Sequence, residues 1–415
     1  MSTVDAPYSR IRSCRSCDGT RLIEILDLGV TPLADRLLTE TMLTEPEPRC
    51  PLTVVFCETC ALVQIRETVD PEVLFGGDYP YYSSVSPGLL AHFRGAAESV
   101  LERRRLGSDS FVLELASNDG YQLKNYAARG IAVLGIDPAR GPAERAIAQG
   151  IDTRVAFFTR HLASDLAAEG IAADVIHANN VLAHVADTNG FVAGIAMLLK
   201  DDGEAVIECP YLQDLIENCE FDTIYHQHLC YFSVSSLVPL FRRHGLYLNR
   251  VERTPIHGGS LRLFLEKTDR PDRSVLDLLA AEQTVGVTRA GYFEQFAARV
   301  RNLGSVLLGL LEEIRARERR IAGYGAAAKG CTLMSFVGIK DVHLDYIVDR
   351  STFKQGRYMT GNHLRIEPVE LLLEDMPDYV LILPWNFADE IMTQQSAYAA
   401  AGGRFIIPIP EPRIV

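Results

Sequence analysis

Two Cys-x-x-Cys pairs near the amino terminus, followed by two separate stretches in which short apolar runs alternate with helix-like ones, predict an α/β protein in three parts. The length agrees: 415 residues exceed what one core usually holds, since single cores stop growing at about 250–300 residues. The patterns place the parts at 1–75, 76–268 and 269–415.

The composition is that of a globular protein, 47% hydrophobic and 23% charged. A formal net charge of −13 argues against a nucleic-acid partner, which calls for a basic field or patch. The opening MSTVDAPYSR carries no apolar run of the kind a secretory signal needs, and runs such as VLIL at 380–383 fall far short of a membrane span. Nine cysteines without an export signal suggest metal ligands or free thiols over a disulfide framework. A cytoplasmic protein without a membrane partner is expected; oligomeric state is left open.

Cys14, Cys17, Cys57 and Cys60 form the two pairs. Two thiolates at this spacing bite one ion, and two such bites close a tetrahedral zinc shell with no open position, so the predicted zinc is structural. The span 18–56 between the pairs is too long for a minimal ribbon, so the metal clips a small module together. Cys50 reads as a bystander. The stretch DYPYYSSVSPGLLAHF at 78–93 then reads as a loop running into a helix. Its tyrosines suit either a functional loop or half-wet packing between domains.

The middle part alternates from residue 110 onward. SFVLELAS, IAVLGIDP, ADVIHANNVL and GEAVIECP read as buried strands separated by helices, a doubly wound parallel sheet whose ligand lies beyond the strand carboxyl ends. LYLNRVE and SLRLFLE, at 246–252 and 260–266, alternate like a half-buried hairpin. A parallel sheet closed by such a pair is the usual shape of class I methyltransferases. The loop from Glu114 to Gly120, with Ser117 and Asn118, lacks the G-x-G-x-x-G of a dinucleotide site. Asp137 ends the second strand, where an acid can hold ribose hydroxyls. Asn179 and Asn180 close a later strand and suit the amino-acid end of a cofactor. An acid, a small-residue loop and a second acid in this order point to S-adenosylmethionine, which has a ribose and no phosphates.

The last part begins with a long amphipathic helix over 288–320, striped by Phe293, Phe296, Val300, Leu303, Leu307, Leu310 and Ile314. IAGYGAAAK, LDYIVDRS, YVLILPWNF and RFIIPIP then read as strands of a second α/β unit. The turn Gly323 to Gly330 leads into a helix; its amides and Lys329 offer an anion site, without the spacing of a P-loop, while small-residue packing is the plainer reading.

YHQHLCYF, at 225–232, precedes the hairpin on the cofactor side of the sheet. With the paired Cys-x-x-Cys module, SNDG, NVLAHVAD, HGGSLR, GYGAAAKG, VDRSxxKQGR and LPWNF, it gives the whole chain a resemblance to the sugar C-methyltransferases. That family methylates C3 of nucleotide-linked 4-keto-6-deoxy sugars. The resemblance implies a zinc-binding domain, a methyltransferase domain binding S-adenosylmethionine, and a C-terminal domain that helps hold the nucleotide sugar. It also implies roles: His228 as general base, with His184, Tyr79 and Tyr225 at other active-site positions. His257, Arg262, Lys329, Arg350 and Lys354 fall in the motifs expected to touch substrate. Gln227 stands where the family carries glutamate, and Cys331 replaces the asparagine that follows GAAAKG.

The chemistry suits these residue types. A carbon beside a ketone becomes a nucleophile when a base takes its proton, and neutral histidine serves near pH 7. Tyrosine hydroxyls or His184 are candidates to stabilise the enolate oxygen. Gln227 supplies no charge to support an imidazolium, which leaves methylation of a sugar oxygen or nitrogen as an alternative. A non-catalytic sugar-nucleotide-binding homologue is the third reading.

Overall fold

The computed structural model describes residues 4–5, 8–75, 82–85 and 87–415. The amino-terminal module is mainly an antiparallel sheet. Leu22–Pro32 pairs with Pro48–Cys57, which pairs in turn with Val63–Ile65. The second strand is buried along most of its length because Phe56 packs on Phe293 of the long helix, ring centroids 5.2 Å apart. The next strand of this sheet comes from the octet: Cys230–Tyr231 pairs antiparallel with Val63–Ile65.

The central sheet has seven strands: β1 (Phe111–Leu115), β2 (Ala132–Asp137), β3 (Thr153–Val155), β4 (Ala173–Asn179), β5 (Leu199–Pro210), β6 (Tyr247–Thr254) and β7 (Ser260–Glu266). Their spatial order is β3-β2-β1-β4-β5-β7-β6, with β7 antiparallel to both neighbours and all other pairs parallel. This is the class I methyltransferase sheet. β1 and β4 are buried almost throughout, because helices cover both faces of a parallel sheet, and so they read as continuous apolar runs. The order reverses between β1 and β4, which places a ligand crevice beyond Leu115 and Asn179. The three-residue β3, only one residue of which is buried, left no apolar run to read.

The long helix spans Gly291–Ala316. Its buried stripe passes from Leu307 to Leu311, not Leu310, which is only half-buried. A second helix, Arg273–Val285, precedes it. The last sheet runs 366–367, 347–348, 321–324, 379–382, 404–407, 413–414, parallel except for the final pair. Its order reverses between Ile321–Tyr324 and Tyr379–Ile382. Gly325 follows the first of these at φ +88°, and a Cβ there would lie 2.6 Å from Pro384. Only glycine fits that close approach.

One apolar cluster runs through all three parts, from Leu52 and Phe56 through Phe221 and Phe293 to Leu344 and Ile347. Hydrogen bonds stitch the same seams. Leu38 and Tyr358 exchange backbone bonds of 2.9 Å, and the Asn189 amide donates to the carbonyls of Arg15 and Ser16. Among the described residues, no helix is long and apolar enough to cross a membrane.

Candidate active site

Cys14, Cys17, Cys57 and Cys60 meet with every sulfur within 4.8 Å of the others, including contacts of 3.6 Å (Cys14–Cys60) and 3.5 Å (Cys17–Cys57). Sulfurs at tetrahedral corners about 2.3 Å from a zinc ion stand roughly 3.8 Å apart, so the set fits structural zinc. Each knuckle is a tight turn. Ala61 donates to the Cys57 carbonyl at 2.9 Å, and Asp18 to that of Cys14 at 3.0 Å. The Gln64 amide and the Ser16 N–H donate to Cys14 Sγ, as suits a thiolate. Cys50 is buried outside the cluster.

The cofactor end of the central sheet is built on β1, β2 and β4. Glu114 is fully buried on β1, where burial pushes its carboxyl well above the usual range and Asn179 donates to Oε1 at 3.3 Å. Asp137 accepts the amides of Asn118 and Ala139, each at 2.8 Å, so both its oxygens brace the loop. Its pKa is raised to about 6 by burial. Asn118 adopts φ +49° and its side chain accepts the Ser83 amide at 2.9 Å. Gly120 sits at φ +75°, where a Cβ would come 3.1 Å from Ile151. Around this crevice, Glu114 Oε2, Ser117 Oγ, Asp119 Oδ1 and Asn180 Oδ1 are buried without a hydrogen-bond partner among the described residues. Orphaned polar atoms at the carboxyl ends of these strands fit a small polar ligand, and the donor and acceptor set suits S-adenosylmethionine.

The octet splits into two roles. His226 Nε2 donates to the Pro51 carbonyl at 3.0 Å, which ties the segment to the zinc module. Leu229 lends its carbonyl to Ile65 N–H at 3.0 Å before the shared strand begins. His228 is half-buried and keeps the other side. Its Nδ1–H donates to the Thr223 carbonyl at 2.8 Å, so the lone pair resides on Nε2, which accepts the Tyr225 hydroxyl at 3.0 Å. The rings of Tyr225 and His184 stand 4.1 and 4.7 Å from it. Burial holds His228 well below its usual pKa and His184 at about 4, so both imidazoles are neutral near pH 7. Tyr79 lies outside the described residues.

Gln227 points elsewhere. It is 5% exposed, and its amide lies within hydrogen-bonding reach of the carboxylate of Asp35, an acid of the zinc module that also feels Lys354. The expectation that the missing charge at 227 bears on the base does not match this geometry, because the side chain faces the module seam. Cys331 is also at that seam, bonded to Thr360 at 3.0 Å and buried, with its thiol pushed up to about 12.

Of the expected substrate contacts, His257 is half-buried at φ +59°, its pKa lowered to about 4 chiefly by burial. The two glycines after it are required: a Cβ on Gly258 would lie 2.5 Å from Glu220, and one on Gly259 2.2 Å from Asp214. Arg262 stands opposite Glu208 in the β5–β7 register and bonds it at 2.9 and 3.1 Å. Glu208 also meets His92 at 2.9 Å. Arg262 is thus committed to a buried carboxylate. Lys329 donates to Asn386 Oδ1 at 2.7 Å and lies 4.6 Å from the centre of the Trp385 ring. Lys354 donates to the Ala326 carbonyl at 2.7 Å and faces Asp349 at 3.9 Å, while Arg350 reaches Gln394 on the exposed side.

The structure therefore gathers His228, Tyr225 and His184, with His257 and Lys329 near enough for their charges to act on His228, and brings Lys354 near Asp35. Sequence reading missed Asp35, His92, Glu208, Glu220, Asp222 and Trp385. Only Trp385, the single tryptophan, next to Asn386 in LPWNF, carried any signal.

The sequence matches three family models: a zinc binding domain over 14–75, a methyltransferase domain over 90–251, and a C-methyltransferase C-terminal domain over 255–410. It is 34% identical over 410 residues to the C-methyltransferase NovU of Streptomyces niveus, covering 98% of this chain and 97% of that one. Among solved structures, magnesium protoporphyrin IX methyltransferase of Synechocystis with bound S-adenosylhomocysteine is 15% identical at a TM-score of 0.35, covering 44% of this chain and 84% of its own. The 1,6-didemethyltoxoflavin N1-methyltransferase of Burkholderia thailandensis is 20% identical at 0.33, over 43% and 79%. With the full-length match to NovU and all three family models in order along the chain, this protein belongs to the zinc-binding, S-adenosylmethionine-dependent C-methyltransferases.

Proposed function

We propose that the enzyme methylates C3 of a nucleotide-linked 4-keto-6-deoxy sugar after abstraction of the C3 proton. The substrate class follows from the family resemblance, and the base assignment is supported by one observation above the rest. The Nδ1–H of His228 is committed to the Thr223 carbonyl, so the lone pair is on Nε2, where the Tyr225 hydroxyl is its one hydrogen-bond partner among the described residues. A neutral imidazole with its tautomer held in advance is ready to accept a proton from carbon.

S-adenosylmethionine supplies an electrophilic methyl group. Glu114, Asp137, Asn179, Asn180, Ser117, Asn118 and Gly120 would hold it, the acids serving the ribose and the asparagines the amino-acid end. His228 takes the C3 proton and Tyr225 steadies its ring. His184 packs edge-on against the base and excludes water, and Tyr79 belongs to the same site by resemblance. The C-terminal part, over 269–415, contributes Lys354 and Arg350 to the nucleotide, while His257 lines the sugar end and Arg262 keeps Glu208 neutralised beneath it.

The test is a reaction with isotopically labelled S-adenosylmethionine across a panel of nucleotide 4-ketosugars, with the product located by NMR. A new methyl on C3, lost in His228→Ala, is the expected result. A methyl on oxygen or nitrogen overturns the reading, and a His228→Ala variant with near-normal rates removes the base assignment.

A further inference from the structure

Lys329 lies in the first turn of the helix Ala328–Val337, and that helix is pinned to the turn that carries the base. Thr332 donates to the Ile224 carbonyl at 3.1 Å, and Phe336 packs on Phe221 with ring centroids 5.0 Å apart. One residue before Thr223, whose carbonyl orients His228, comes Asp222. It is fully buried; Oδ2 accepts the Trp385 indole N–H at 2.8 Å, and Oδ1 has no hydrogen-bond partner among the described residues. The same indole carries Lys329 over its face at 4.6 Å. Two consecutive residues of one turn therefore hold the base and anchor the cradle of a cation.

We infer that Lys329 is a catalytic residue, the cation that faces the ketone oxygen as it becomes an enolate, and that Asp222 is the positioning residue that holds it there. The inference rests on the enolate reading above. Lys329 is half-buried, and its charge is felt by both histidines: burial disfavours protonation most at each, Lys329 comes next at His257, and at His228 it adds to the effects of His184 and His257. An ammonium has three N–H donors, and Asn386 takes one. Burial pulls the Lys329 ammonium below its usual pKa, and buried Asp222 and the nearby Glu220 oppose that pull.

The step balances without another reactant. The proton on C3 passes to His228 Nε2, the C–H electron pair becomes the C3–C4 double bond, and the carbonyl π pair moves to O4. The negative charge on O4 is the charge that Lys329 meets, in a cleft where a placed cation acts more strongly than in water.

The test compares Lys329→Met, Lys329→Gln and Lys329→Arg in the full-length zinc-loaded enzyme. Methyl transfer at saturating substrate and exchange of the C3 proton with deuterated water, in the presence of S-adenosylhomocysteine, are measured with affinity for the free nucleoside diphosphates UDP and dTDP. The expected result is a loss of roughly 100-fold or more in transfer and exchange for the two neutral variants, with nucleoside diphosphate affinity within threefold and partial rescue by arginine. Asp222→Asn should lose turnover in the same direction with KM little changed. Turnover within tenfold of wild type in both neutral variants overturns the proposal, as does weakened nucleoside diphosphate binding with turnover intact, which would make Lys329 a phosphate ligand. Oxygen or nitrogen methylation by the wild type would instead sink the enolate reading, and the role of Lys329 with it.

Discussion

Replacing Gln227 by glutamate would set two carboxylates against each other where the octet meets the zinc module. Gln227 is 5% exposed and its amide reaches Asp35, whose carboxyl burial already raises. At an effective dielectric near 20, two such charges about 4 Å apart repel by roughly 4 kcal/mol. Lys354 offsets part of this, and protonation limits the rest. Keeping one ordinary carboxyl protonated at about pH 7.5 costs roughly 4 kcal/mol, so the pair would share a proton before it suffered more. The expected loss in Gln227→Glu is about 2–4 kcal/mol at neutral pH. Its sign with pH is definite: the folded-state pKa of the new acid lies above its unfolded value. The penalty is absent below the unfolded pKa of about 4 and grows as pH rises toward the folded value. Urea titrations of variant and wild type at matched pH, near 7.5 and near 4.5, measure the difference. Adding Asp35→Asn should restore most of the lost stability at neutral pH. A variant as stable as wild type at both pH values, or one not rescued by Asp35→Asn, would refute the contact. Glutamate at this position is therefore expected to destabilise this chain.

Three more outcomes follow from the geometry. Cys57→Ser should release the zinc, seen by elemental analysis against one equivalent in wild type, and should lower turnover as well, because the module supplies the Pro51 carbonyl and the strand that seat the octet. Asp137→Ala should weaken S-adenosylhomocysteine binding in calorimetry by about 1–3 kcal/mol, partly through the loop amides it holds, and Asp137→Asn should recover part of that by keeping an acceptor. Folding stability should fall as pH drops from about 6.5 toward 4, since His184 and His257, with pKa values lowered to about 4, stay neutral when folded and charge when unfolded. The expected cost by pH 4 is about 3 kcal/mol for each, read by urea titration across that range.

Strand periods, the doubled Cys-x-x-Cys pair and the ordered motifs determined by themselves the α/β fold with its class I methyltransferase sheet, the zinc-binding cysteine set and the family. These are local or short-range signals, set by side-chain period, ligand bite and turn chemistry, and they survive in one dimension. The pairing of residues far apart in sequence did not. That His226 serves the zinc module while His228 turns to Tyr225 and His184 depends on a strand, Cys230–Tyr231, too short to show a period and paired with Val63–Ile65. That Gln227 answers Asp35, that Arg262 is spent on Glu208, and that Trp385 joins Asp222 to Lys329 are contacts across 192, 54 and 163 positions of chain. Each satisfies a buried charge or amide, and which partner is within reach is decided only when the three parts close on one core.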